Sequence, residues 1–128
     1  MSKMTAAFVV LGLMATGPAA QAGGVAPVKI VDSDHGKVLV DDRGRTLYTL
    51  DKDEGGTSRC TWLCAAVWPP LKAQVDIRPS EPWSVVARDS GDLQWAYRGR
   101  PLYRYRRDAR PGDIVGDGVE GTWHVARP

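Results

Sequence analysis

Past residue 22 the sequence contains no methionine and no phenylalanine: Met1, Met4, Met14 and Phe8 all lie within the first 14 positions. Any folded core must therefore rest on Val, Leu, Ile, Trp and Tyr. Long apolar runs are as scarce. Only Ala6 to Met14 qualifies, and it is too short to span a bilayer, so no transmembrane segment is expected. An excess of one charge is missing too. The 17 Lys+Arg and 15 Asp+Glu leave a net charge of +2, which removes a global electrostatic drive toward nucleic acid. There is no Gly-x-Ser-x-Gly elbow, no His-Glu-x-x-His, no phosphate-cradling loop and no pair of histidines at metal-ligand spacing. With only His35 and His124 available, in separate turns, no Ser-His-Asp set is legible either, and the expectation is a protein without enzymatic activity.

What is present begins with a secretory leader. Lys3 supplies a basic start, Ala6 to Met14 the apolar stretch, and Ala20-Gln21-Ala22 a small-x-small cleavage site, so residues 1–22 read as a signal peptide. Cleavage near Ala22 leaves residues 23–128, a length that suits a single β-rich domain. No cysteine follows the cleavage site to carry a lipid anchor. The mature chain is expected free in solution outside the cytoplasm, secreted or periplasmic.

Sliding the mature chain along itself exposes a repeat at an offset of 55. Asp34/Asp89, Gly36/Gly91, Arg43/Arg98, Gly44/Gly99, Arg45/Arg100, Leu47/Leu102, Tyr48/Tyr103, Asp53/Asp108 and Trp68/Trp123 are identical pairs. Ordinary residue frequencies would give about two over such a window. Repeat 1 is taken as 28–72 and repeat 2 as 83–128.

Each repeat reads as three antiparallel strands followed by a loop-rich segment. The first has Val28 to Val31, Lys37 to Val40 and Arg45 to Leu50; the second has Trp83 to Ala87, Leu93 to Tyr97 and Arg100 to Tyr105. Turn sequences Asp34-His35-Gly36, Asp42-Arg43-Gly44, Asp89-Ser90-Gly91 and Arg98-Gly99 separate them. Alternation puts Tyr103 and Tyr105 on one side of the last strand, and Arg100, Arg104 and Arg106 on the other. A short helical turn around Cys60 to Val67 must end at Trp68-Pro69-Pro70, because proline removes a donor and restricts the residue before it. Ala73 to Pro82 reads as a linker and Thr122 to Ala126 as a final strand. Units this small are marginal alone. The fold class expected is therefore mainly β, with two tandem three-stranded units packed face to face about a pseudo-twofold axis.

These residues resemble a bacterial family of secreted repeats of unknown function, described also as predicted lipoproteins with a Tyr-x-aromatic-x-x-Asp motif. Tyr103-Arg104-Tyr105-Arg106-Arg107-Asp108 fits the motif in full, and Tyr48 to Asp53 fits with Leu50 in the aromatic place. Cys60-x-x-x-Cys64, Trp68-Pro69-Pro70-Leu71, Pro111-Gly112-Asp113 and Gly121-Thr122-Trp123 are similar to the family's other signatures. The resemblance implies an extracytoplasmic protein with no assigned activity, some relatives being joined to redox domains.

Cys60 and Cys64 occur in the first repeat only. In an oxidising compartment they suit a structural disulfide, although residues four apart in a regular helix do not converge well, so a bridge asks for a distorted turn. The alternative is a working thiol pair that exchanges with disulfides or holds copper, with His124 as a third ligand, which would make the protein a periplasmic redox or copper-handling one. Tyr48, Tyr103, Asp53 and Asp108 recur in both repeats; architectural needs recur in that way, with each Asp capping a turn and each Tyr keeping one polar tip. A site for a small ligand built of Tyr, Trp and Asp is the rival. Asp51-x-Asp53-x-Gly55 hints at a calcium loop, but Trp62 stands where the bidentate Glu is needed. The arginines of the second repeat, above all Arg100, Arg104 and Arg106, offer a surface for an anionic partner. The functional expectation is an exported binding or interaction module with no cofactor, engaging a protein or envelope partner.

Overall fold

The Asp34-His35 turn closes a two-residue hairpin that the sequence dictates closely. Ser33 Oγ accepts the His35 N–H at 3.0 Å and donates to the Gly36 carbonyl at 2.7 Å, and Gly36 takes a φ of 87°, which costs glycine little. In the computed structural model of the chain, which describes residues 25–128, this hairpin joins β1 (Val28–Ser33) to β2 (Gly36–Asp41). The expected leader and its cleavage site lie outside the described residues. The second repeat opens likewise with β5 (Trp83–Ala87) and β6 (Leu93–Tyr97), then β7 (Arg100–Pro101). Arg98 and Gly99 link β6 to β7 with φ of 51° and 80°, as a two-residue hairpin with both central residues left-handed requires. The remaining elements are β3 (Tyr48–Leu50), α1 (Leu63–Val67), β4 (Lys72–Ala73) and β8 (Trp123–Val125). Among the described residues no helix is long and apolar enough to cross a membrane.

The repeats do more than stack face to face: each is completed by the last strand of the other. β8, at the end of the second repeat, pairs antiparallel with β3 of the first, and β4, at the end of the first, pairs with β6 of the second. The exchange is reciprocal bond for bond. Tyr48 N–H donates to the Tyr103 carbonyl at 2.8 Å and Tyr103 N–H to the Tyr48 carbonyl at 3.0 Å. Leu39 N–H reaches Ala126 and Trp95 N–H reaches Leu71, while Ala126 N–H reaches Leu47 and Leu71 N–H reaches Leu102. A pseudo-twofold axis therefore runs between Tyr48 and Tyr103.

These central ladders are buried on both faces, so consecutive positions are apolar: Val38-Leu39-Val40, Leu47-Tyr48, Leu102-Tyr103 and Val125-Ala126. Alternation sends them into two cores. One holds Val38, Val40, Tyr48, Leu50, Cys60, Trp68, Tyr103 and Trp123. The other holds Leu39, Leu47, Leu71, Trp95, Leu102 and Ala126.

The third strand of each repeat is shorter than alternation suggests. β7 stops at Pro101 and β3 spans three residues, with Tyr103 joined to Tyr48 and Pro70 by single bridges. The repeat is not gap-free in space either. The longer first turn of the second repeat, with Arg88 N–H on the Asp92 carbonyl, and its shorter second turn shift β6 by one residue. Leu39 is thus matched by Trp95, where an offset of 55 pairs it with Gln94.

Candidate functional site

The family-motif residues meet at the axis. Trp68 stacks on Trp123 with centroids 3.8 Å apart, Tyr105 stacks on Trp68 at 3.9 Å, and Tyr48 and Tyr103 contact Trp68 and Trp123 edge-on at 5.4 and 5.1 Å. Offset-stacked and edge-to-face pairs at these distances suit the ring quadrupoles. Leu50, in the place equivalent to Tyr105, lies opposite Trp123 in the β3–β8 register.

Each tyrosine hydroxyl crosses to the other repeat. Tyr48 donates to Asp108 Oδ2 at 2.7 Å and Tyr103 to Asp53 Oδ2 at 2.5 Å. The second oxygen of each carboxylate accepts a turn N–H, from Val115 on Asp108 at 2.9 Å and from Arg59 on Asp53 at 2.7 Å. The aspartates do cap turns, and they also bind the polar tip of the partner repeat's tyrosine, a link that single-repeat reasoning does not contain. Burial, reinforced by the bond to Asp53, pushes the Tyr103 phenol up to about 12. Tyr48 rises for the same reasons, burial first and Asp108 second. Burial also raises both carboxylates, against the opposing pull of their donors. These groups are perturbed because they are interior.

The second half of this network came without a sequence signal. Arg88 is buried, and its guanidinium donates to Ser58 Oγ at 2.7 Å, Gln94 Oε1 at 2.8 Å and the Cys60 carbonyl at 2.6 Å. Ser58 in turn meets the Tyr103 hydroxyl at 2.6 Å. Next to the turn Asp89-Ser90-Gly91, Arg88 reads as a solvated charge, and only the fold turns it inward.

Cys60 and Cys64 are bonded to each other, closing a five-residue loop with Cα atoms 5.2 Å apart. The distortion that such a bridge needs falls on Trp62, whose φ of 52° and ψ of −122° place a bulky residue in a left-handed region. In this bonded form neither sulfur is a thiolate donor for copper. His124, the expected third ligand, has its Nε2 3.0 Å from Asp51 Oδ2. His35 stands 3.6 Å from Asp117.

The arginines divide between two clefts. Arg104 and Arg106 line a cleft of about 460 Å³ with Arg43, Arg45, Pro69, Tyr105, Asp108 and Pro111. Arg100 lies elsewhere, with Arg98, Leu50, Asp51 and Asp53 in a cleft of about 610 Å³. Alternation from Arg100 to Arg106 fails because the strand ends at Pro101. The two clefts are images of each other under the repeat, with Arg43, Arg45, Tyr105, Arg106 and Asp108 matched by Arg98, Arg100, Leu50, Asp51 and Asp53. Their charge differs. In the second, two guanidinia face two carboxylates. In the first, four face Asp108, which is already committed to Tyr48 and Val115, and the buried Asp41, which Arg104 meets at 3.6 Å.

Backbone bonds fix the arginine cleft. Buried Asp41 accepts the N–H groups of Arg43 and Arg45 on Oδ1 at 2.8 and 2.9 Å, which fans the two side chains outward from one turn. Arg45 Nη1 donates to the Asp108 carbonyl at 2.6 Å, and Arg104 Nη1 lies 3.6 Å from Asp41 Oδ2. Across the cleft, Arg104 N–H donates to the Pro69 carbonyl and Arg106 N–H to that of Val67, both at 2.8 Å. Tyr105 points into the aromatic stack between them. Arg43 and Arg106 are exposed, with no side-chain partner among the described residues. Planar forks of this kind match carboxylate and phosphate oxygens.

Comparison with known proteins agrees with the geometry of a duplication. The profile of a family described as a secreted repeat of unknown function matches twice, at residues 29–72 and 84–127. No curated protein and no solved structure matches the chain.

Proposed function

Because the chain belongs to the family of secreted repeats of unknown function, its activity has to be read from its own surface, and we propose a non-enzymatic binding module that holds an anionic group of an envelope partner in the cleft of Arg43, Arg45, Arg104 and Arg106. One observation carries this reading. Duplication gave the molecule two equivalent clefts, and one of them has concentrated four guanidinia around two carboxylates already committed elsewhere, Asp108 and Asp41, leaving Arg43 and Arg106 without a side-chain partner among the described residues, while its image stays balanced. Charge kept unpaired in a concave place favours a ligand of opposite sign. The most perturbed titratable groups, Tyr48, Tyr103, Asp53 and Asp108, are used within the interior, which supports binding over catalysis. The module works outside the cytoplasm after loss of residues 1–22, and N-terminal sequencing of the exported product, with Gly23 first, checks the leader.

Inorganic polyphosphate serves as the test ligand. Arg104 and Arg45 also support buried groups, so the informative variant reverses the two exposed arginines, Arg43→Glu with Arg106→Glu. It should weaken polyphosphate binding by at least about tenfold, given what close charge pairs contribute at interfaces. Arg98→Glu with Arg100→Glu changes the net charge equally in the other cleft and should leave affinity within about twofold. Equal losses in the two variants would show a diffuse charge effect and refute the cleft.

A further inference from the structure

Three large apolar side chains stand out from the surface beside the arginine cleft. Trp62 is 89% exposed, Leu63 80% and Val67 39%. Leu63 and Val67 are four apart on α1 and share one face. A tryptophan this exposed is unusual in a domain that buries Trp68, Trp95 and Trp123 to within 4%. The exposure is also enforced. The Cys60–Cys64 bond closes the loop on both sides of Trp62, Cys60 is fully buried, and its carbonyl is held by the interior Arg88. Backbone strain at Trp62 thus belongs to a loop clamped at both feet.

The apolar knob and the arginines form one surface. Arg106 N–H bonds to the carbonyl of Val67, the last residue of α1. Pro69 lines the arginine cleft on one side and, on the other, the groove that contains Trp62, Ala65 and Ala66. Asp89 and Asp92 lie across that groove, where Lys72 pairs with Asp92 at 3.3 Å. Aromatic and aliphatic side chains with arginines along one flank suit the boundary between headgroups and acyl chains, where the ring sits at headgroup level and the guanidinium meets phosphate. Trp62 and Leu63 are almost wholly exposed to solvent, so a folded protein would need a pocket to cover them, whereas lipid yields to them.

We infer that the protein docks on anionic membrane surfaces, Trp62 and Leu63 entering the headgroup region while Arg43, Arg104 and Arg106 engage lipid phosphates. This rests on the anion-binding reading of the arginine cleft and gives that site its partner.

The test uses the whole exported protein with its disulfide intact, in sedimentation with vesicles of phosphatidylcholine alone or with one third phosphatidylglycerol, and with inorganic polyphosphate in parallel. The wild type should partition onto the anionic vesicles only. Trp62→Ser with Leu63→Ser should lower that partition by about tenfold or more, as loss of a buried apolar anchor does, with polyphosphate affinity unchanged. Trp62→Phe should keep vesicle binding but lose the quenching of tryptophan fluorescence by brominated lipid. If the serine variant binds vesicles as the wild type does, or if the wild type binds polyphosphate and no vesicle, the inference is overturned while the cleft reading stands. Failure to bind both ligands overturns the two together.

Discussion

Trp68 lies flat against Trp123, with ring planes 4° apart, and the two are the same position of the two repeats. Stacking of equivalent residues can occur only on the axis that relates them, so each repeat supplies one face of a shared aromatic core. The same relation governs Tyr48 with Asp108 and Tyr103 with Asp53. A single repeat would lack its closing strand, a partner for its tyrosine and half of its stack.

The repeats should therefore survive a cut in the connection but not separation. With a protease site placed between Gln74 and Ser80, the cleaved halves are expected to co-migrate on a native gel filtration column and to keep the circular dichroism of the uncut chain. Expressed singly, each half should be unfolded by the same measurement. A half that folds alone as a monomer would refute the exchange of strands.

Tyr48→Phe removes the donor to buried Asp108 and the acceptor of the Gly116 N–H, and Tyr103→Phe removes the donor to buried Asp53. An unsatisfied buried group costs about 1–3 kcal/mol. Urea denaturation should show losses of that size for each variant.

Alkaline pH should act on the same groups. The unfolded chain loses a tyrosine proton near the ordinary value of 10.0, whereas folded Tyr103 keeps it up to about 12, so the native state binds more protons in that window. Stability is then full below pH 10 and declines above it, by about 1.4 kcal/mol per pH unit for each such tyrosine. The raised carboxyls of Asp53 and Asp108 give the same sign at lower pH, with stability falling as pH climbs from 3.8 through their folded values. Urea midpoints across pH 9 to 11 check the alkaline limb, and Tyr103→Phe should flatten it.

Much of the fold was legible because turn chemistry and the repeat point to the same strands. β5 and β6 have the bounds that Pro82-Trp83 and Asp89-Ser90-Gly91 imply, and α1 ends at Val67 before Trp68-Pro69. The exchange of β4 and β8 was not legible, because strands of two and three residues, one of them exposed in each, carry too little pattern to mark which neighbour they choose. The slip that matches Leu39 with Trp95 was hidden by two single-residue changes of opposite sense in flanking turns. At the candidate site, Arg104 and Arg106 were readable as charge, but Arg43 and Arg45 join them through a turn of the other repeat. Arg88 and Ser58, polar and local to turns, gave no sign of being interior.

Gly116 shows how the two half-cores diverged. A Cβ there would sit 2.8 Å from Tyr105 and 2.9 Å from both Trp68 and Tyr48. Tyr105 thus fills space that a side chain at 116 would need. Gly116→Ala should destabilise by about 1–3 kcal/mol through overpacking. Combining it with Tyr105→Leu should restore part of that loss, as read by thermal melting.

The claim that two equivalent clefts have taken different charge, and that one alone binds anions, is tested most directly by following the arginine Nε–H resonances while inorganic pyrophosphate is added. Saturable shifts should appear at Arg43, Arg45, Arg104 and Arg106, with Arg98 and Arg100 unmoved. Equal shifts in both clefts, or none in either, would contradict it.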